Sequence, residues 1–140
     1  MEYNVRFGDP EMQAVLPLIK GDFGMLVSAA ANGTLGECPA TSNERNALCV
    51  VLSSGGYPGD FTKGMKITGL SQKDEACTYV FHAGTARDNE GNIVTNGGRV
   101  LSVVGIGETF AEARERAYKR IKTLNFDNMH YRRDIGWSEI

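Results

Sequence analysis

Between residues 99 and 124 a long Val-rich segment, RVLSVVGI, leads within three residues into a capped amphipathic helix. Thr109 and Glu112 form a Thr-x-x-Glu capping box, which satisfies two otherwise unpaired backbone donors at a helix start. Phe110, Ala113, Ala117, Ile121 and Leu124 then follow at three- and four-residue steps and make one apolar stripe. Such a stripe has to be buried against another layer, so the helix closes the strand-rich region before it. Arg114, Glu115, Arg116, Lys119 and Arg120 lie mostly off the stripe and read as a solvated face.

Upstream, residues 47–52 are a continuous apolar run suited to a buried strand, residues 66–70 a short strand, and residues 77–82 a better one. Turns fall at Asn89-Glu90-Gly91-Asn92 and Thr95-Asn96-Gly97-Gly98. Ser53 to Gly59 is a loop in which Pro58-Gly59 suits the centre of a type II turn. Residues 36–46 are small and polar and read as a linker. Before it, Tyr3, Val5 and Phe7 alternate with Glu2, Asn4 and Arg6, the period of a strand with one face on a core. A strand needs a neighbour, and none precedes this one, which leads us to expect a truncated chain. Asp9-Pro10 reads as an N-cap followed by proline at the first helical position. Met12, Val15, Leu16 and Ile19 continue that helix until Pro17 kinks or shortens it. A second helix opens at Gly21-Asp22, carries Phe23, Leu26, Val27 and Ala30 on its apolar side, and ends at Asn32-Gly33.

A chain of 140 residues, 41% hydrophobic and 23% charged, has the composition of a globular domain that needs no metal or disulfide to fold. Its formal charge of −2 gives no electrostatic reason to expect nucleic acid or an anionic membrane as partner. Cys38, Cys49 and Cys77 are odd in number and widely spaced, which fits a reduced, cytoplasmic protein with Cys49 in the core.

Four places carry candidate chemistry. Glu2 and Asn4 stand about 7 Å apart on one strand face, from a rise of about 3.3 Å per residue. They offer hard oxygen ligands suited to Mg²⁺, or simply a solvent-facing polar side. Arg6, Gly8, Asp9 and Pro10 form a corner that either receives a carboxylate, phosphate or ammonium group or merely starts a helix. The loop from Ser54 to Gly59 lacks the Lys-Ser/Thr ending of a phosphate-binding loop and is a plain turn. His82 and Arg99 sit at strand ends, where each either faces a ligand cleft or is structural. Gly105-x-Gly107 lacks the third glycine of a dinucleotide loop.

Taken together these segments resemble the phosphoribosylamine–glycine ligase (glycinamide ribonucleotide synthetase) family. The likeness rests on EYNVRFGDPEMQ at residues 2–13, on Gly56-Tyr57-Pro58-Gly59 with Lys63-Gly64, and on Val80-Phe81-His82-Ala83-Gly84-Thr85. It continues through Gly97-Gly98-Arg99-Val100-Leu101 to Arg133-Asp134-Ile135-Gly136, in order and over nearly the whole chain. The resemblance implies an α+β fold: the last strand and helices of an ATP-grasp domain over residues 1–37, then a ligase C-terminal domain over 38–140. That second part would be a mostly antiparallel, barrel-like or sandwich sheet with a C-terminal helix. It further implies ATP-dependent joining of glycine to 5-phosphoribosylamine through glycyl phosphate, in purine synthesis. Glu2 and Asn4 would hold Mg²⁺ (or Mn²⁺), and Arg6, Gly8, Asp9 and Pro10 would line the substrate side. The N-terminal and most of the ATP-grasp domains would be missing, leaving the chain inactive alone. Another ATP-grasp carboxylate–amine ligase, or a noncatalytic docking module, are the alternatives.

Overall fold

The computed structural model describes residues 6–38, 41–73 and 75–139; Glu2, Asn4 and most of the strand expected over residues 2–7 lie outside them. The elements run α1 (Glu11–Val15), β1 (Ile19–Lys20), α2 (Phe23–Asn32), β2 (Thr41–Ser42), β3 (Asn46–Ser53) and β4 (Thr78–His82). They continue with β5 (Thr85–Arg87), β6 (Ile93–Thr95), β7 (Arg99–Gly107) and α3 (Phe110–Ile121). Among the described residues, helices thus combine with antiparallel strand pairings, an α+β arrangement.

The Val-rich segment becomes the central strand. β7 pairs with β3 on one side and β4 on the other, in the order β3-β7-β4. The register opposes Val103 to Val50 and Val80, and Val104 to Cys49 and Tyr79, so alternate residues of β7 serve opposite faces. Leu101, Val103 and Val104 are all fully buried, so both faces are covered. α3 covers the face of Leu48, Val50, Leu52, Leu101 and Val103, and α1 packs against β3 and β7 from the other side. β5 and β6 form a separate hairpin. Residues 64–67 run beside it, through Gly64 N–H to Thr95 O (2.7 Å) and Ile67 N–H to Ile93 O (2.9 Å).

Glycines decide how closely α3 approaches. A Cβ on Gly105 would fall 2.1 Å from the Ala113 carbonyl oxygen and 2.6 Å from Ala117 N; one on Gly107 would fall 2.6 Å from Ala113 N. The Gly-x-Gly that lacks a nucleotide-loop partner therefore serves helix–sheet packing, with the small side chains Ala113 and Ala117 opposite it.

The capping box is half made. Thr109 Oγ1 accepts from Glu112 N–H (3.2 Å), while Glu112 Oε2 reaches back to Glu108 N–H (2.7 Å). Phe110, expected on the buried stripe, stays 36% exposed at its edge. The basic side of α3 departs further from a solvated face. Arg120 is buried, donating to Gly69 O (3.1 Å) and to Thr123 Oγ1. Arg114 donates to Ile135 O (3.2 Å) and Arg133 O (2.9 Å), its guanidinium 4.8 Å from the Tyr118 ring centre. These arginines tie down loops by capping main-chain carbonyls.

Other expectations shift locally. Residues 66–70 make isolated bridges, Lys66 with Val94 and Thr68 with Asn125, because the chain turns left-handed at Gly69 (φ 83°). The Tyr57–Pro58 bond is cis and the left-handed glycine is Gly56 (φ 95°), so the 54–59 loop is no type II turn. Pro17 does end α1, in a 3-10 turn over Leu16–Leu18. α2 begins at Asp22, which accepts from Met25 N–H (3.0 Å), and ends at left-handed Gly33. None of the residues of α1 or α2 is fully buried.

Replacing Gly105 by Ala should force α3 off the sheet and cost about 1–3 kcal/mol, the usual range for overpacking. Urea unfolding should show a lower midpoint with an unchanged slope; an unchanged midpoint would mean that α3 does not sit this close.

Candidate functional site

The corner at residues 6–10 is where the structure brings distant sequence together. Asp9 was expected to cap the following helix, but α1 starts at Glu11 with Pro10 as N-cap and no side-chain cap bond. The Asp9–Pro10 bond is cis. The Asp9 carboxylate is used elsewhere: Oδ1 accepts from Gln13 Nε2 (3.0 Å) and Oδ2 from Arg99 Nη2 (3.0 Å). Arg99 Nη1 also donates to the Asp9 carbonyl (2.9 Å), so one guanidinium grips the corner at two points.

Arg6 donates to the neighbouring Phe7 O (3.1 Å), and its side chain is exposed. Glu11 lies over Gly8, where an added Cβ would fall 1.2 Å from Glu11 Oε2. Phe7 is 62% exposed and leans on Phe23 with ring centres 6.0 Å apart. Beneath α1, an apolar recess is lined by Gly8, Asp9, Met12, Gln13, Leu16 and Phe81. The corner thus presents an exposed guanidinium, a glycine main chain at Gly8 covered by the Glu11 carboxylate, and the anchored carboxylate of Asp9, beside a recess lined in part by Phe81.

The two C-terminal candidates part company. Arg99 joins the corner. His82 bonds Thr85 Oγ1 through Nδ1 (3.1 Å), a local strand-end contact. Gln13 is a member that sequence reasoning passed over, although its i, i+4 spacing from Asp9 was a usable signal. Its Oε1 is buried without a hydrogen-bond partner among the described residues. Glu2 and Asn4 lie outside the described residues, and among those described no group of three or more His, Cys, Asp or Glu could hold a metal.

Cys49 is half-buried under α1, opposite Val104. Burial pushes its thiol up to about 11, and the nearby Asp9 charge acts in the same direction. It is a packed thiol, with no claim to be a nucleophile at neutral pH.

An antiparallel α+β module closed by one helix, with an N-terminal segment clamped to its central strand, defines the class; the comparisons with known proteins specify it. The family described as phosphoribosylglycinamide synthetase, C domain, matches residues 47–138, and the chain belongs to that family. Among curated relatives, the phosphoribosylamine–glycine ligase of Caldanaerobacter subterraneus is 45% identical over 136 residues, covering 97% of this chain and 32% of that protein. The Nostoc enzyme of the same name is 48% identical over 138 residues, again covering 32% of its length. The human trifunctional purine biosynthetic protein adenosine-3 is 44% identical over the whole chain, which corresponds to 14% of that protein. A crystal structure of phosphoribosylamine–glycine ligase from Thermotoga maritima superposes with a TM-score of 0.77 at 39% identity, over 96% of this chain and 32% of that one. The chain therefore spans about a third of the length of the single-function ligases it matches.

The raised Cys49 value predicts a pH dependence. The folded state holds the thiol neutral, whereas the unfolded chain ionises near the ordinary value of 9.0. Its contribution to stability is complete below about 9 and declines as pH rises toward about 11. Between those limits Cys49→Ala should lose less stability with rising pH than the parent protein. Parallel slopes in chemical unfolding across that window would show that Cys49 is not shielded.

Proposed function

We propose that this chain is the C-terminal third of a phosphoribosylamine–glycine ligase, the enzyme that joins glycine to 5-phosphoribosylamine at the expense of ATP. The observation that carries the reading is the match to such ligases at 44–48% identity over 97–100% of this chain, running through the 6–10 corner as well as the matched domain. In this reading residues 1–37 close an ATP-grasp domain, and residues 38–140 form the C-terminal domain. Its sheets are opened parts of a barrel-like arrangement, supported by the bonding of residues 64–67 along β6.

The glycine carboxylate attacks the γ-phosphorus of ATP, ADP leaves, and glycyl phosphate results. The amine of phosphoribosylamine then attacks the acyl carbon, phosphate leaves, and the amine gives up a proton. Arg6 supplies positive charge for an anionic group, Gly8 lets a substrate approach the main chain, and Asp9 and Pro10 fix the edge of that side of the site. Glu2 and Asn4 would hold Mg²⁺ (or Mn²⁺), which when bound gathers negative charge on the transferring phosphoryl group.

Catalysis needs parts that these residues do not supply. Phe7, Val15, Met25, Val27 and Leu35 are 62%, 48%, 65%, 42% and 49% exposed, an apolar surface suited to being covered by the preceding two-thirds of the ligase. The three cysteines are unpaired, in keeping with a cytoplasmic enzyme. Among the described residues no helix is long and apolar enough to cross a membrane.

The 140-residue chain alone should release no ADP in response to glycine and phosphoribosylamine. Mixed with a separately made N-terminal part it should regain that activity, and Glu2→Ala should reduce the recovered rate by about 10²–10³-fold, the scale of losing one electrostatic stabiliser. Substrate-dependent turnover by the chain alone would refute its dependence on the missing part. Restored turnover indifferent to Glu2→Ala would refute the metal assignment.

A further inference from the structure

The contact between Arg99 and Asp9 joins residues 90 apart in sequence and ties the N-terminal corner to the central strand. Both side chains are half-exposed, 41% for Arg99 and 56% for Asp9, and an exposed ion pair contributes only about 0–1 kcal/mol. Its geometry is more specific than that value suggests. Nη1 holds the Asp9 carbonyl while Nη2 holds its carboxylate, which fixes the residue's main chain and side chain together. Gln13, at the middle of the five-residue α1, donates to the remaining carboxylate oxygen.

Arg99 itself stands on a rigid base. Its carbonyl accepts from Gly84 N–H (2.8 Å), it opposes Ser53 in the ladder, and the preceding Gly98 carbonyl accepts from Ser54 N–H (2.8 Å). The Gly84–Gly97 approach is so close that a Cβ on Gly84 would fall 2.6 Å from Gly97 Cα. The guanidinium thus projects from a strand end held by main-chain contacts on both sides, toward a corner whose helix has no buried residue of its own.

We propose that Arg99 is a positioning residue for the ligase reaction, setting the Gly8–Asp9–Pro10 edge of the substrate site from the C-terminal sheet. This rests on the reading of that corner as the substrate side. Arg99 does not touch the reacting atoms; it acts through Asp9.

The test is a double-mutant cycle in the full-length ligase carrying this chain, comparing Arg99→Ala, Asp9→Ala and the double variant, with Arg99→Lys as the conservative control. Arg99→Ala should lower kcat/KM for glycine-dependent ADP release by about 10–100-fold, the scale of a misplacement near 1 Å. Its melting temperature should stay within a few degrees of the parent. The double variant should be no worse than the weaker single variant, and Arg99→Lys should recover part of the loss by restoring the charge without the fork. Two results overturn the inference while sparing the substrate-side reading: Asp9→Ala impaired with Arg99→Ala at the parent value, or losses that multiply in the double variant. If Asp9→Ala is itself silent, the substrate-side reading fails and the positioning role falls with it.

Discussion

Burial of β7 on both faces is the constraint from which the remainder of the structure follows. A strand with fully buried Leu101 and Val103 toward one layer and Val104 toward the other requires two covering layers. α3 supplies one, drawn close by the bare main chain at Gly105 and Gly107. The N-terminal segment supplies the other, through the contacts of α1 with β3 and β7. Because that second cover is also where the corner at residues 6–10 begins, the packing of the core and the location of the candidate site are one question. The site is held to the sheet by apolar cover beneath α1 and by a polar fork at its edge.

What the sequence revealed was mostly what local pattern can encode. The Val-rich strand, the Thr109 cap and the stripe Ala113–Ala117–Ile121–Leu124 were legible because each depends on neighbours within a few residues. The short strand expected at residues 66–70 was not realised, since Gly69 turns the chain against Thr123 after Thr68 has bonded Asn125. The basic side of α3 was misread for a related reason. Helical spacing places Arg120 off the main apolar stripe, but only the tertiary fold reveals that the Gly69 carbonyl lies within its reach.

The candidate site was half legible. Its residue types at 6–10 pointed to anion and ammonium recognition, and strand-end Arg99 was noticed without a partner. No spacing rule joins positions 9 and 99, and only the folded chain brings them together. Asp9 also shows how a local rule loses to a distant one. An Asp before Pro-Glu is a good helix-cap signal, yet a charge-assisted fork from Arg99 and an amide from Gln13 occupy both its oxygens, and the helix starts with its cap bond unmade.

The two parts of the chain differ in how far their own residues account for their stability. From β3 onward most of the buried apolar side chains meet in one cluster, from Leu48 and Val50 through Val103 to Ile121 and Phe126. α2 has no such support: it is 10 residues long with none buried, and isolated helices below about 12–15 residues are marginal in water. Its Asp22 cap contributes on the order of 1 kcal/mol, too little to offset a backbone ordering cost of about 1–2 kcal/mol for each residue. Apolar cover within the described residues is partial: the Phe23 ring meets that of Phe7 at 6.0 Å, and Met25 and Leu26 line a recess with Ile19 and Cys38, while Met25 and Val27 stay 65% and 42% exposed. A helix capped at both ends thus keeps part of its apolar side open to further cover.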